Sequence, residues 1–169
     1  MEAGVSLNAQ RLEELWGLHV DRLFLYATAT LADRSAAEDA LQTVFVRLLN
    51  LRSFPESGSE AAYLYRAIRN EVLTQLRTRR RSKKALESMI EAPSEDPREA
   101  AELRDLGRKI ESTLLDLPAE EREAVVLKIW ADLSFPEAAS VMGVSDKTFE
   151  HRYYRGLETI KQRLGVRHE

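Results

Sequence analysis

The chain has 169 residues, no cysteine, seven glycines and five prolines, with 44 % hydrophobic and 31 % charged residues and a formal net charge of −3. The lack of thiols excludes disulfides, thiolate catalysis and zinc–thiolate sites, and scarce glycine and proline favour helices over a turn-rich β fold. No apolar run approaches the roughly 18 residues of a membrane span and no signal segment opens the chain, so a soluble, cytoplasmic protein of one domain or two small ones is expected.

Leu12 to Leu31 carries a helical pattern. Ser35-Ala-Ala-Glu38 then reads as a capping box, in which the serine and the glutamate each satisfy an orphan backbone amide. Leu41, Val44, Phe45 and Leu48 share one face, which predicts a helix to about Leu51. Its outer side carries Asp39, Gln42, Val46 and Asn50. A valine among polar groups suits a protein interface, although single exposed apolar residues are common. Ser53 to Ser59 reads as a loop. A third helix begins near Ser59, with Leu64, Ile68, Val72 and Leu76 at four-residue spacing, and runs past Arg80. Opposite that stripe stand Arg66, Arg69, Asn70, Arg77 and Arg80, with Tyr63 nearby.

From Arg66 to Lys84 there are eight basic residues against one acid, Glu71; from Glu87 to Glu102 the sign reverses, with Arg98 the lone cation. The stretch MIEAPSEDPREA, Met89 to Ala100, has two prolines, four acids and no apolar periodicity, a linker composition. The net acidity is therefore partly a linker property and says little about local patches. Arginines beside an aromatic suit a phosphate backbone carrying unstacked bases. A charged helix end running into a basic linker would look the same.

The second half reads as four helices. Ala101 to Leu115 is the first. Pro118 suits the first turn of the next, with Glu120 and Glu121 favourable to its dipole, and that helix continues to Ala131. Ser134-Phe-Pro-Glu137 is a second capping box, opening a short helix that ends at Met142 before a left-handed Gly143. Ser145 caps a last helix to about Leu164. A short helix, a glycine-first turn and a longer helix form the helix-turn-helix layout. On the last helix Phe149, Tyr153, Leu157, Ile160 and Leu164 define the buried stripe. Lys147, His151 and Arg155 lie opposite, Thr148 and Arg152 on one flank and Glu150 on the other. An antiparallel helix pair with solvated charges fits the same pattern, and the SFPE…GVS cap-turn-cap grammar shifts the balance toward DNA. No metal-binding Glu-x-x-His, H-E-x-x-H, Walker loop, G-x-G-x-x-G or G-x-S-x-G is present, so an enzyme is not expected.

Together these segments resemble the extracytoplasmic-function group of bacterial sigma-70-type RNA polymerase sigma factors over nearly the whole chain. AEDALQTVFVRLL (Ala37 to Leu49) is similar to the family's AED-x-x-Q-x-x-F stretch. YLYRAIRNEVLTQLRTRRR (Tyr63 to Arg81) is similar to WLYRIARN-x-x-x-D-x-x-R-R. LLDLPAEEREAVVLKIWADLSFPEAASVMGVSDKT (Leu114 to Thr148) is similar to LP-x-x-x-R…LSYEEIA-x-x-LG-x-S-x-x-T. The departures are Tyr63 for tryptophan, Thr74 for aspartate, Thr43 for glutamate, and Glu150 and His151 where Lys and Ser are frequent.

The resemblance implies an all-α protein of two small helical domains joined by a flexible acidic linker: region 2 at 1–84, the linker at 85–103, and region 4 with its helix-turn-helix at 104–169. It implies that Asp39, Gln42, Val46 and Asn50 meet the β′ clamp helices of core RNA polymerase, while the second domain touches the β flap. Tyr63, Arg66, Arg69 and Asn70 would line the melted −10 strand, and Arg77, Arg79 and Arg80 would hold the upstream backbone. Lys147, Thr148, His151, Arg152 and Arg155 would contact the −35 element. A monomer without cofactor, metal or catalytic residue is implied, and many family members have an anti-sigma partner. Two rival readings are a free-standing dimeric helix-turn-helix regulator and a sigma-like adaptor or decoy without promoter activity.

Overall fold

The computed structural model describes residues 9–51, 59–86 and 112–165. The expected loop at 53–58, nearly all of the linker at 85–103 and the expected helix before residue 112 lie outside the described residues. Among the described residues, regular structure is entirely helical: α1 (Ala9–Leu31), α2 (Arg34–Leu49), α3 (Glu60–Leu86), α4 (Ala119–Trp130), α5 (Phe135–Met142) and α6 (Asp146–Leu164). Residues 112–115 add one helical turn before α4. No helix among them is long and apolar enough to cross a membrane.

The helix starts show how local chemistry sets the frame. At α2 the cap is Asp33, not Ser35: Asp33 has an extended backbone and its carboxylate accepts from the Ala36 amide at 2.9 Å. Ser35 already lies in the first turn, so the expected box there does not form, and Glu38 instead pairs with Arg34 at 3.4 Å. Ala32, at φ 51°, turns the chain sharply between α1 and α2. The second box forms as expected. Glu137 donates its backbone N–H to the Ser134 hydroxyl, and its carboxylate accepts from the Ser134 N–H at 2.9 Å. Gly143 closes α5 at φ 68°, and Ser145 caps α6 by accepting from the Thr148 amide at 3.2 Å. Pro118, expected in the first turn of α4, is its N-cap.

Burial explains the packing. Ala36, Ala37 and Ala40 form a small-residue face on α2 that lets it lie close to α1, while Leu41, Val44 and Leu48 complete that face. Leu64, Ile68 and Val72 of α3 are fully buried, as their spacing predicts. Each such aliphatic side chain contributes about 1.5–3 kcal/mol of burial free energy. In α4, Glu121, Glu123 and the run Ala124 to Leu127 are all buried, because this helix is covered on both sides. One side packs on α1, the other on α5 and α6, and α3 meets α5. A single apolar cluster therefore runs from Leu12 to Phe149.

Candidate nucleic-acid interface

The caps at Ser134, Gly143 and Ser145 set α6 against α4 and α5, with its opposite side exposed. Lys147, Glu150, His151, Tyr154, Arg155 and Glu158 line one shallow hollow on its exposed side. Lys147, His151 and Arg155 thus share a face, as their spacing predicts. Thr148 is exposed, and its hydroxyl lies 2.8 Å from that of Ser145. Two placements differ from expectation. Glu150 lies in the hollow, not on a flank remote from it. Arg152 is turned toward α4, where its guanidinium meets Glu120 at 2.5 Å and its side chain is only 23 % exposed.

Tyr154 joins this hollow although four-residue spacing does not point to it. It is 58 % exposed, yet its ring is fixed: it stacks on Phe135 at 6.2 Å and 27° and meets Tyr153 edge-on at 5.2 Å. A signal was available, since Tyr154 follows Lys147 by seven residues and so shares its helix face. The ammonium of Lys128 lies 4.9 Å from the Phe135 ring centre and holds the other member of this stack.

The basic face of α3 divides into three. Tyr63 and Asn70 line a cleft of about 310 Å³ between α2 and α3, with Val44, Leu48, Leu51 and Ala67 as its apolar walls. Arg77 and Arg80 are exposed, and Arg79 donates to Asp33 at 2.6 Å. Arg66 and Arg69, by contrast, face the second half. Arg66 donates to the Ser140 hydroxyl at 3.4 Å, and Arg69 donates to Glu123 at 2.6 Å. The expected continuous strip of Tyr63, Arg66, Arg69 and Asn70 is thus interrupted, because α3 is packed on a second side.

The Glu123 carboxylate also accepts from the Tyr26 hydroxyl at 2.7 Å. Burial, and then the negative Glu123, raise the Tyr26 phenol well above its usual range, so it stays protonated and donates. Burial disfavours the charge on Arg69, but its hydrogen bond to Glu123 and the attraction behind it outweigh that cost. Alongside, Tyr65 donates to the Trp130 carbonyl at 3.4 Å and meets the Tyr26 ring edge-on at 5.9 Å.

Asp39, Gln42 and Val46 on α2 and Asn50 at its C-cap are all exposed. Val46 is 57 % exposed and Leu49, a turn away, 54 %, which widens the apolar strip beyond the single valine. Gln42 also edges a groove of about 370 Å³ between α1 and α2, floored by Trp16, Phe24 and Phe45. Trp16 and Phe45 lie 4.7 Å apart there.

The family described as "Sigma-70 region 2" matches residues 15–82, and "Sigma-70, region 4" matches residues 107–160. ECF RNA polymerase sigma factor SigE of Mycolicibacterium smegmatis is 31 % identical over 90 % of this chain, which spans 61 % of that relative's length. ECF RNA polymerase sigma factor SigM of Bacillus subtilis is 21 % identical over 89 % of this chain and 93 % of its own. Among solved structures, the sigma factor RpoE in complex with the anti-sigma factor NepR from Bartonella quintana superposes with a TM-score of 0.80. It is 25 % identical, covering 95 % of this chain and 100 % of that one.

Proposed function

Because this chain belongs to the extracytoplasmic-function group of the sigma-70 family, we propose that it is an exchangeable, promoter-selecting subunit of RNA polymerase. The observation that carries this reading furthest is the outward α6 face, set by a complete cap-turn-cap frame and carrying Lys147, His151 and Arg155 together. In this reading α6 enters the major groove at the −35 element. The Tyr63–Asn70 cleft takes an unstacked base of the −10 element, and Arg77, Arg79 and Arg80 hold the neighbouring phosphates. The outer strip of α2, with Asp39, Gln42, Val46 and Asn50, docks on the β′ clamp helices, and residues 104–169 meet the β flap. The division into 1–84, 85–103 and 104–169 follows these roles. The protein works as a monomer in the cytoplasm, where core polymerase and promoter DNA meet. An anti-sigma partner, of the kind bound in the RpoE–NepR complex, is a further expected ligand.

Arg66 and Arg69 reach a −10 strand only once α3 has left α4 and α5, since both are bonded to those helices. Binding to polymerase supplies that separation and, by tethering both halves, the effective concentration that each weak contact with DNA needs. Run-off transcription with core polymerase and a promoter library tests the reading. Selection of a −10/−35 pair is expected. Core binding with no promoter selected would favour the decoy, a reading that the acids Glu150 and Glu158 on the α6 face keep in view.

A further inference from the structure

Resting on the reading of α6 as the −35 helix, we propose that Glu121 of α4 is a positioning residue for promoter readout. It fixes the direction of the Arg155 guanidinium across the helix–helix contact at Gly156. Three observations meet there. A Cβ on Gly156 would lie 2.6 Å from Val125 Cγ2 and 3.2 Å from the Glu121 carbonyl oxygen, so α4 and α6 touch at this residue without a side chain between them. The neighbouring Arg155 is thereby brought to Glu121, with Nε 3.3 Å from Oε1. The two side chains are also unequal, Glu121 being 11 % exposed and Arg155 65 %. The carboxylate is fixed by its surroundings, and the guanidinium is the part that reaches outward.

The adjacent pair has the opposite polarity. In Arg152–Glu120 the arginine is packed, at 23 % exposure, and the carboxylate is in water, at 67 %. Arg152 is therefore held for the fold, whereas Arg155 is held for a ligand. A packed carboxylate without its cation is costly, which keeps Arg155 beside Glu121 in the free protein. The contact uses Nε, and the two terminal nitrogens are the ones that fork onto N7 and O6 of a guanine. An arginine already pointing into the hollow loses less freedom on docking, so Glu121 improves readout without touching DNA.

The test is binding of full-length protein with core polymerase to a matched promoter and to fragments each altered at one −35 base pair. Arg155→Ala is expected to flatten discrimination about tenfold at one or two adjacent base pairs. Glu121→Gln is expected to flatten the same base pairs about threefold, roughly a third to a half of that free energy. The double variant should be no worse there than Arg155→Ala, with core affinity unchanged throughout. Arg155→Lys keeps the ion pair but not the fork, so it should relax the same base pairs without disturbing the fold. A uniform loss on every fragment with Glu121→Gln would mean that Glu121 serves only the fold. A uniform gain would mean that it merely repels DNA, and an additive double variant would separate the two residues; each of these overturns the proposal. Selectivity at −35 that survives Arg155→Ala overturns it too, while leaving the family reading intact. A wild-type holoenzyme indifferent to every −35 change overturns both.

Discussion

Arg69 of α3 grips Glu123 of α4 at both carboxylate oxygens, Nε to Oε1 at 2.6 Å and Nη2 to Oε2 at 3.4 Å. Both side chains are largely withdrawn from water, and Tyr26 donates to the same carboxylate. Removing the acid alone, Glu123→Ala, strands a guanidinium and a phenol. The expected cost is about 2–4 kcal/mol, somewhat below that of a fully buried pair because Arg69 keeps some access to solvent. Replacing Arg69 and Glu123 together by Met and Leu should recover most of that loss. Thermal melts measure both effects, and an increased radius of gyration in Glu123→Ala alone would register the parting of α3 from α4.

Gly156→Ala should be destabilising despite the better helix propensity of alanine. The added methyl meets Val125 Cγ2 and the Glu121 backbone, and backbone cannot turn aside. A cost of about 1–3 kcal/mol is expected from overpacking. Val125→Ala in the same chain should relieve the side-chain part of the clash, so the double variant would melt above the additive expectation.

Acid should loosen the start of α5. Hydrogen bonds from Ser59, then from Ser134, hold the Glu137 carboxyl below its ordinary value of 4.5. A depressed carboxyl contributes stability that is complete above pH 4.5 and is lost as the pH falls through the folded value. Glu137→Gln keeps an acceptor for the Ser134 N–H but loses the charge, so it should cost about 0.5 kcal/mol near pH 7. Its deficit against the parent should shrink steadily below pH 4.5. Urea melts across pH 3 to 7 would measure this, and a deficit independent of pH would contradict it.

The outer strip of α2 makes a separable prediction. Asp39→Arg and Val46→Glu alter exposed side chains, so folding stability should change by no more than about 0.5 kcal/mol. Affinity for core polymerase should fall about tenfold or more for each, as for a charge placed in the centre of an interface. Competition against a labelled sigma factor would report it. Core affinity equal to the parent's would remove α2 from that surface.

Much of this arrangement was legible because its signals are local. The Ser134 box, Gly143 and Ser145 are each decided by bonds spanning a few residues, so the helix-turn-helix could be placed almost to the residue. The first box failed for a similar reason: Asp33 and Ser35 are both good caps two positions apart, and the sharp turn at Ala32 favours the earlier one. Periodicity told which side of α3 is buried in its own bundle, but not that a helix more than thirty residues downstream covers another side. Four-residue spacing alone therefore leaves Arg66 and Arg69 on an open side, whereas the fold joins them to Ser140 and Glu123. On α6 four-residue steps trace Lys147, His151 and Arg155, and only the seven-residue step from Lys147 adds Tyr154. Glu150 stands at the rim of that arc, and the hollow is wide enough to include it.

The distance along the chain between the partners of Glu123 has a consequence for synthesis. Tyr26 precedes it by 97 residues and Arg69 by 54. At a ribosomal rate of roughly 5–20 residues per second, the Tyr26 hydroxyl waits on the order of ten seconds for its acceptor. During that interval α1, α2 and α3 can pack on one another, but the side that α4 will cover stands open, with Tyr26 and Arg69 unmatched. The nascent chain thus passes through a stage whose exposed flank is the one the finished protein conceals, and α4 ends it by arriving.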